Sequence, residues 1–211
     1  MNLRWKIAQA AEIKWWRRYL GKKDKDEYLN WKRNYWHQFL ERTGLEIKNG
    51  AQILDAGCGP AGIFTILSQY NVTAIDPLLD SYEQQLTHFE IAEYPWVDFI
   101  KSPLESFERA NTFDIIFCLN AINHVADIDL AMDQLIKLLR PGGTLVLSID
   151  AHNYWWLKSI FRLLPGDILH PHQYDLEDYK LMLEKRNCEI NTSYLQKKEW
   201  IFNYYVLVAT K

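Results

Sequence analysis

From Ile53 to Gly62 the chain reads Ile-Leu-Asp-Ala-Gly-Cys-Gly-Pro-Ala-Gly, an apolar run that breaks into glycine. Gly57, Gly59 and Gly62 stand at the G-x-G-x-x-G spacing of a turn between a strand and a helix. Bare backbone there admits ligand atoms, and a helix start offers N–H groups to an anion. Asp76 follows Gly57 by 19 residues, where a carboxylate ending a second strand grips ribose hydroxyls. Together these residues predict a nucleoside-binding site. Spacing alone leaves NAD and other nucleoside cofactors open.

A second group of reactive types lies downstream. Asn120-Ala121-Ile122-Asn123-His124-Val125 follows the apolar run 113–119. Ligands in open α/β sheets bind beyond the carboxyl ends of strands, so this segment is a candidate acceptor site. Neutral imidazole takes a proton near pH 7, which makes His124 either a base or an acceptor-orienting group; the plainer alternative is a local hydrogen bond that shapes the pocket. Further on, Tyr154-Trp155-Trp156 opens an apolar segment with Leu157, Ile160 and Phe161. It lines an acceptor pocket, packs on the N-terminal helices, or touches a membrane surface or partner. His170 and His172 flank Pro171, but without a third ligand they read as exposed loop histidines.

These residues need elements to hold them. Apolar runs of strand length at 51–56, 72–75, 96–100, 113–119 and 144–149 alternate with candidate helices at 61–70, 78–92 and 127–139. That alternation predicts βαβ units and a parallel sheet buried on both faces. Two helices precede it, over 3–20 and 28–42, the second carrying Tyr28, Trp31 and Tyr35 on one face. That face serves as core packing or as cofactor contact. After an irregular insert at 151–174, Asp175 reads as an N-cap opening a helix to about Arg186. Strands near 188–196 and 200–210 then form an antiparallel hairpin, since the link between them is too short for a crossover.

Composition sets the outer limits. The chain has 211 residues, 48% of them hydrophobic, with a net charge of −3. Disorder and low complexity are excluded, and a general nucleic-acid binder is disfavoured. Cys58, Cys118 and Cys188 form neither a disulfide framework nor a zinc ribbon, which suits a reducing cytoplasm. No secretory leader or membrane-spanning run is expected. Residues 1–23 nevertheless carry +6 against −9 in the rest. That basic stretch is a solvated helix face, or it is drawn to an anionic lipid surface or an acidic substrate.

Three further features choose among the cofactors. Asp55 precedes Gly57 by two, Phe113-Asp114-Ile115-Ile116-Phe117 begins a strand, and Arg140-Pro141-Gly142-Gly143-Thr144 turns a helix into the next strand. With the terminal hairpin, residues 45–211 resemble the class I S-adenosylmethionine-dependent methyltransferases, in the small-molecule branch that includes quinone-biosynthesis enzymes. The resemblance implies a Rossmann-like, mostly parallel seven-stranded sheet with helices on both faces, and residues 1–44 as a helical lid. It also implies that Gly57, Cys58 and Gly59 pack against the methionine part of S-adenosylmethionine, with Asp55 organising the loop and its link to the amino group. Asp76 would hold the ribose, Pro77 and Leu104 the adenine, and Asn120 would face the methionine end. One subgroup of quinone-pathway relatives has Glu, Glu and His in the register of Asn120, Asn123 and His124, and binds a divalent metal there. Amides are poor ligands for a hard cation, so no metal is expected.

The expectation is therefore metal-independent methyl transfer to a small-molecule or lipid-like acceptor, with His124 as catalytic candidate and Asn123, Tyr154, Trp155 and Trp156 on the acceptor side. Its alternatives are a non-catalytic cofactor-binding interaction protein and, on glycine spacing alone, an NAD-dependent oxidoreductase.

Overall fold

The computed structural model describes residues 3–109, 112–152, 174–198 and 202–211. Two helices come first, α1 (Leu3–Leu20) and α2 (Lys25–Thr43). The Asp24 side chain caps α2 by accepting from the Glu27 amide at 3.0 Å. The strands are β1 (Gln52–Ala56), β2 (Asn71–Ile75), β3 (Val97–Ile100), β4 (Phe113–Leu119), β5 (Leu139–His152), β6 (Glu189–Lys197) and β7 (Phe202–Thr210). Between them lie α3 (Leu79–Gln85), α4 (Ile128–Leu138) and α5 (Leu176–Glu184).

One seven-stranded sheet runs β3-β2-β1-β4-β5-β7-β6, with the first five strands parallel. β7 pairs antiparallel to both β5 and β6, as the short link requires. Side chains alternate across the sheet and divide the core in two. Ile53, Ile115, Phe117 and Val146 face the layer that holds α1 and α2. Leu54, Ile116, Cys118 and Leu147 face the layer of α4 and α5. On α4, Ile128, Met132, Leu135 and Leu138 recur at helical spacing and are buried together. Arg140 pairs with Asp114 at 2.8 Å, tying the entry of β5 to the start of β4. Partial burial pushes Asp114 up, but the Gln52 amide and Arg140 outweigh it and hold the carboxyl below its usual range.

Three expected elements differ. The helix expected at 61–70 is a four-residue 3-10 turn, Ile63–Ile66. Just before it, the Trp36 indole of α2 donates to Ala61 O at 2.9 Å, and within it Phe64 O accepts from both Leu67 N at 3.2 Å and the Trp96 indole at 3.1 Å. The helix expected over 78–92 stops at Gln85, followed by a 3-10 turn at Ile91–Glu93. β5 is longer than expected and stays paired with β7 through His152, so residues 151 and 152 belong to the sheet. The rest of the insert lies outside the described residues.

Candidate functional site

β1 delivers the chain into the glycine turn at the carboxyl edge of the sheet. Gly57 has φ +73°, a backbone that side-chain-bearing residues rarely adopt. A Cβ there would overlap the Ala121 side chain, so the bare Cα makes room for the loop after β4. Gly62 is needed for another close approach, because the Cys58 carbonyl and the Asp55 carboxylate fill the space its Cβ would take. Both clearances serve packing within the protein, where the spacing suggested room for a ligand.

The turn also spends its N–H groups internally. Gly57 N and Cys58 N donate to Ile75 O at 2.8 and 3.1 Å, and Gly59 N donates to Asp76 Oδ2 at 3.0 Å. Phe64 N donates to Asp55 Oδ2 at 3.2 Å. No α-helix begins here, so the expected anion site at a helix start is not formed. Asp55 is buried beneath the turn, off the cavity wall, and braces the loop.

Above the turn lies a cavity of about 940 Å³. Gly57, Cys58, Gly59, Asp76, Pro77 and Leu104 line it. Asn120 and His124 join from the loop after β4. Asn120 sits at φ +56°, and its N–H donates to Ser148 Oγ at 2.8 Å, with the Tyr204 hydroxyl 2.7 Å beyond. Asn123, expected on the acceptor side, is buried instead; its amide donates to the Asp150 carbonyl at 3.1 Å, holding β5 against the loop. Asn120 and Asn123 therefore do not share one site. Among the described residues no group of three His, Cys, Asp or Glu is arranged to hold a metal. Tyr154, Trp155 and Trp156 lie outside the described residues, as do His170 and His172.

The N-terminal helices supply wall residues that sequence spacing missed. Glu12, Trp16, Lys32 and Trp36 face the cavity. Tyr28, on the same helical face as Trp31 and Tyr35, is buried core, whereas those two reach the cavity. The face thus serves both uses left open by its pattern. Glu12 accepts from the Trp16 indole and the Tyr82 hydroxyl, each at 3.4 Å. The signal for it was present: it is the single acid of the basic segment, four residues before a Trp.

Burial dominates the electrostatics. It lifts Asp76 to about 7, with Glu12 adding repulsion, and lifts Asp55 to about 7. Cys58 is pushed well up by burial and by both aspartates, so its thiol is not an activated nucleophile. Burial lowers Lys32 to about 8 against the opposing pull of Asp55.

A family model described as a methyltransferase domain matches residues 28–193. The chain belongs to the methyltransferase domain family. Among curated relatives, the ubiquinone biosynthesis O-methyltransferase of Rickettsia bellii is 34% identical over 99 residues, covering 46% of this chain and 41% of that protein. The chain thus matches about two-fifths of that relative's length. Among solved structures, phosphoethanolamine N-methyltransferase 2 of Haemonchus contortus, in complex with S-adenosyl-L-methionine, superposes with a TM-score of 0.66 at 16% identity, covering 84% of this chain and 52% of that one. The cyclase SpnF superposes at 0.63 with 17% identity, covering 85% and 80%. At these identities the likeness shows a shared fold. This methyltransferase-family chain therefore has the Rossmann-like sheet expected from its sequence, and its reaction has to be argued from the site.

Proposed function

We propose that the chain is a cytoplasmic S-adenosylmethionine-dependent methyltransferase that acts on a small-molecule or lipid-like acceptor without a metal ion. The carrying observation is Asp76, a buried carboxylate on the cavity wall at the end of β2. Oδ2 accepts from Gly59 N and Oδ1 from Leu78 N, each bond using one acceptor site. Each oxygen keeps acceptor capacity for one ribose hydroxyl. Pro77 and Leu104 offer apolar wall beside it for an adenine. These residues fit the cofactor.

When bound, the cofactor supplies an activated sulfonium methyl. The chain's own work is positioning and exclusion of water. Asp55 braces the turn, the α1 and α2 aromatics roof the cavity as a lid, and Asn120 faces the reacting end. His124 orients the acceptor or takes its proton. The segment with Tyr154, Trp155 and Trp156 follows β5 and is assigned to the acceptor wall. Metal independence rests on Asn120 and Asn123, since amides that do not share a site cannot replace paired carboxylates on a hard cation. The name of the Rickettsia relative, an O-methyltransferase of ubiquinone biosynthesis, supports the acceptor class.

A non-catalytic cofactor-binding role is the second reading, because a cavity wall that fits the cofactor serves equally a chain that binds it without turnover. Purified protein incubated with methyl-labelled cofactor and a small-molecule extract separates the two. Label is expected to move to a product, and to do so in EDTA. Tight cofactor binding with no transfer across extracts would favour the second reading. Activity lost to chelation and restored by magnesium would overturn metal independence.

A further inference from the structure

α1 presents two opposite faces. Gln9, Glu12 and Trp16 recur at i, i+3 and i+7 and turn toward the cavity. Ile7, Lys14 and Arg18, at i, i+7 and i+11, share the other face, with Trp15 and Arg17 on its flanks, and all of these are exposed. Ile7 and Trp15 each keep 49% of their surface in water, and Trp31 of α2 keeps 54%. Trp15 and Trp31 also line the cavity, so they stand where it opens to solvent. A ladder of rings joins them. Trp15 stacks on Tyr19 at 4.9 Å, Tyr19 meets Tyr28 at 6.1 Å, and Tyr28 meets Trp31 at 5.9 Å. The mouth is therefore rimmed by indoles that the fold holds in place and leaves wet.

The same face is basic. Lys14, Arg17, Arg18, Lys22 and Lys23 are exposed, with the Lys23 ammonium 4.7 Å from the centre of the Tyr19 ring. Among the described residues none of these five forms an ion pair. The nearby acids belong to α2: Asp24 caps it, and Asp26 and Glu27 sit in its first turn, where the helix dipole favours them. Glu12, the one acid of residues 1–23, faces inward. Against a net charge of −9 in the rest of the chain, the +6 of this segment is outward and concentrated.

The composition of the face selects its partner. A second copy meeting it about a twofold axis would set like charges together. A nucleic acid answers the cations but leaves Ile7 in water. A bilayer with anionic headgroups answers every feature: basic side chains meet the lipid charge, indoles settle at headgroup level, and Ile7 reaches the acyl boundary.

We propose that the outer face of α1 docks on an anionic membrane surface, with Trp15 and Trp31 at headgroup level and the cavity mouth turned to the bilayer. The contact is peripheral, since no helix among the described residues is long and apolar enough to cross a membrane. A lipid-like acceptor then enters the cavity from the bilayer without passing through water; for that step alone the proposal rests on the function proposed above.

Vesicle flotation tests it, with equal parts phosphatidylglycerol and phosphatidylcholine against phosphatidylcholine alone. Wild-type protein is expected to float with the anionic vesicles at low salt and to be released at high salt. Each Lys or Arg near such a surface is worth about fivefold in affinity, so Arg17→Glu/Arg18→Glu is expected to bind at least about 25-fold more weakly. Ile7→Ser, which keeps every charge, is expected to weaken binding about tenfold through lost apolar contact. Both variants change exposed side chains, and an S-adenosylhomocysteine affinity within about twofold of wild type shows that they are folded. No flotation of the wild type, equal flotation with neutral vesicles, or unchanged binding in the charge-reversed variant would overturn the proposal. So would a single-stranded oligonucleotide bound as tightly as the anionic vesicles, or a dimer in solution that Ile7→Ser dissociates. Vesicle binding needs neither cofactor nor acceptor, so its failure leaves the methyltransferase reading standing. Wild-type protein that floats but does not bind S-adenosylhomocysteine would overturn that reading and leave this one.

Discussion

Asp76 holds two backbone amides and, on the proposed function, two ribose hydroxyls. Asp76→Ala removes charge-assisted bonds worth ~1.5–3 kcal/mol, so cofactor binding is expected to weaken about 10- to 100-fold. Calorimetry on the folded variant checks this; unchanged affinity would take the ribose away from β2. The pH dependence follows from the ligand-free carboxyl lying near 7. Hydroxyl donors favour the carboxylate, so binding lowers its pKa and releases protons near neutrality. Affinity is expected to rise with pH through 7 and level off above, about tenfold weaker at pH 6 than at pH 8. Glu12→Gln, which removes a neighbouring like charge, should move that midpoint downward, and a midpoint that stays put would mean the two acids are uncoupled. Glu12 and Lys32 could not be placed at the site from the sequence, because only the packing of α1 and α2 over the turn brings them there, although Glu12 stands out as the single acid of a basic segment. Asp76, Leu104 and Asn120 were legible, because each follows its own strand or turn at the carboxyl edge.

Strands β1, β2 and β4 were legible because their buried positions are dominated by apolar residues, while the edge strand β3 showed as Val97, Phe99 and Ile100 around an exposed Asp98. The 3-10 turn at 63–66 was not. Local propensity permits a helix there, and the decision comes from two indoles distant in sequence that satisfy Ala61 O and Phe64 O. Trp36→Phe keeps the ring but strands a buried carbonyl, a loss of about 1–3 kcal/mol. Denaturant melts of the two proteins measure it. A change within about 0.5 kcal/mol would mean that packing alone positions α2 against the turn.

At the scale of the molecule, the two cores on either side of the sheet carry the fold, while the acids at and beneath the glycine turn cost stability by their burial. Asp55 and Asp76 both titrate in the folded state near 7, above the ordinary carboxyl value of 3.8. Groups raised in this way contribute stability that is fully present below the unfolded value and lost as pH rises through the folded value. The ligand-free protein is therefore expected to melt higher at pH 6 than at pH 8, and Asp76→Asn should flatten that trend. Melting that is lower at pH 6, with no flattening in the variant, would show that other groups govern the curve. No helix among the described residues is long and apolar enough to cross a membrane.

The central claim is that the glycine turn and Asp76 serve S-adenosylmethionine, where glycine spacing alone left NAD open. Titrating the wild-type chain with S-adenosylhomocysteine and with NAD in parallel calorimeter runs decides it. Saturable heat with S-adenosylhomocysteine and none with NAD is the expected result. Saturable heat with NAD and none with S-adenosylhomocysteine would contradict the account.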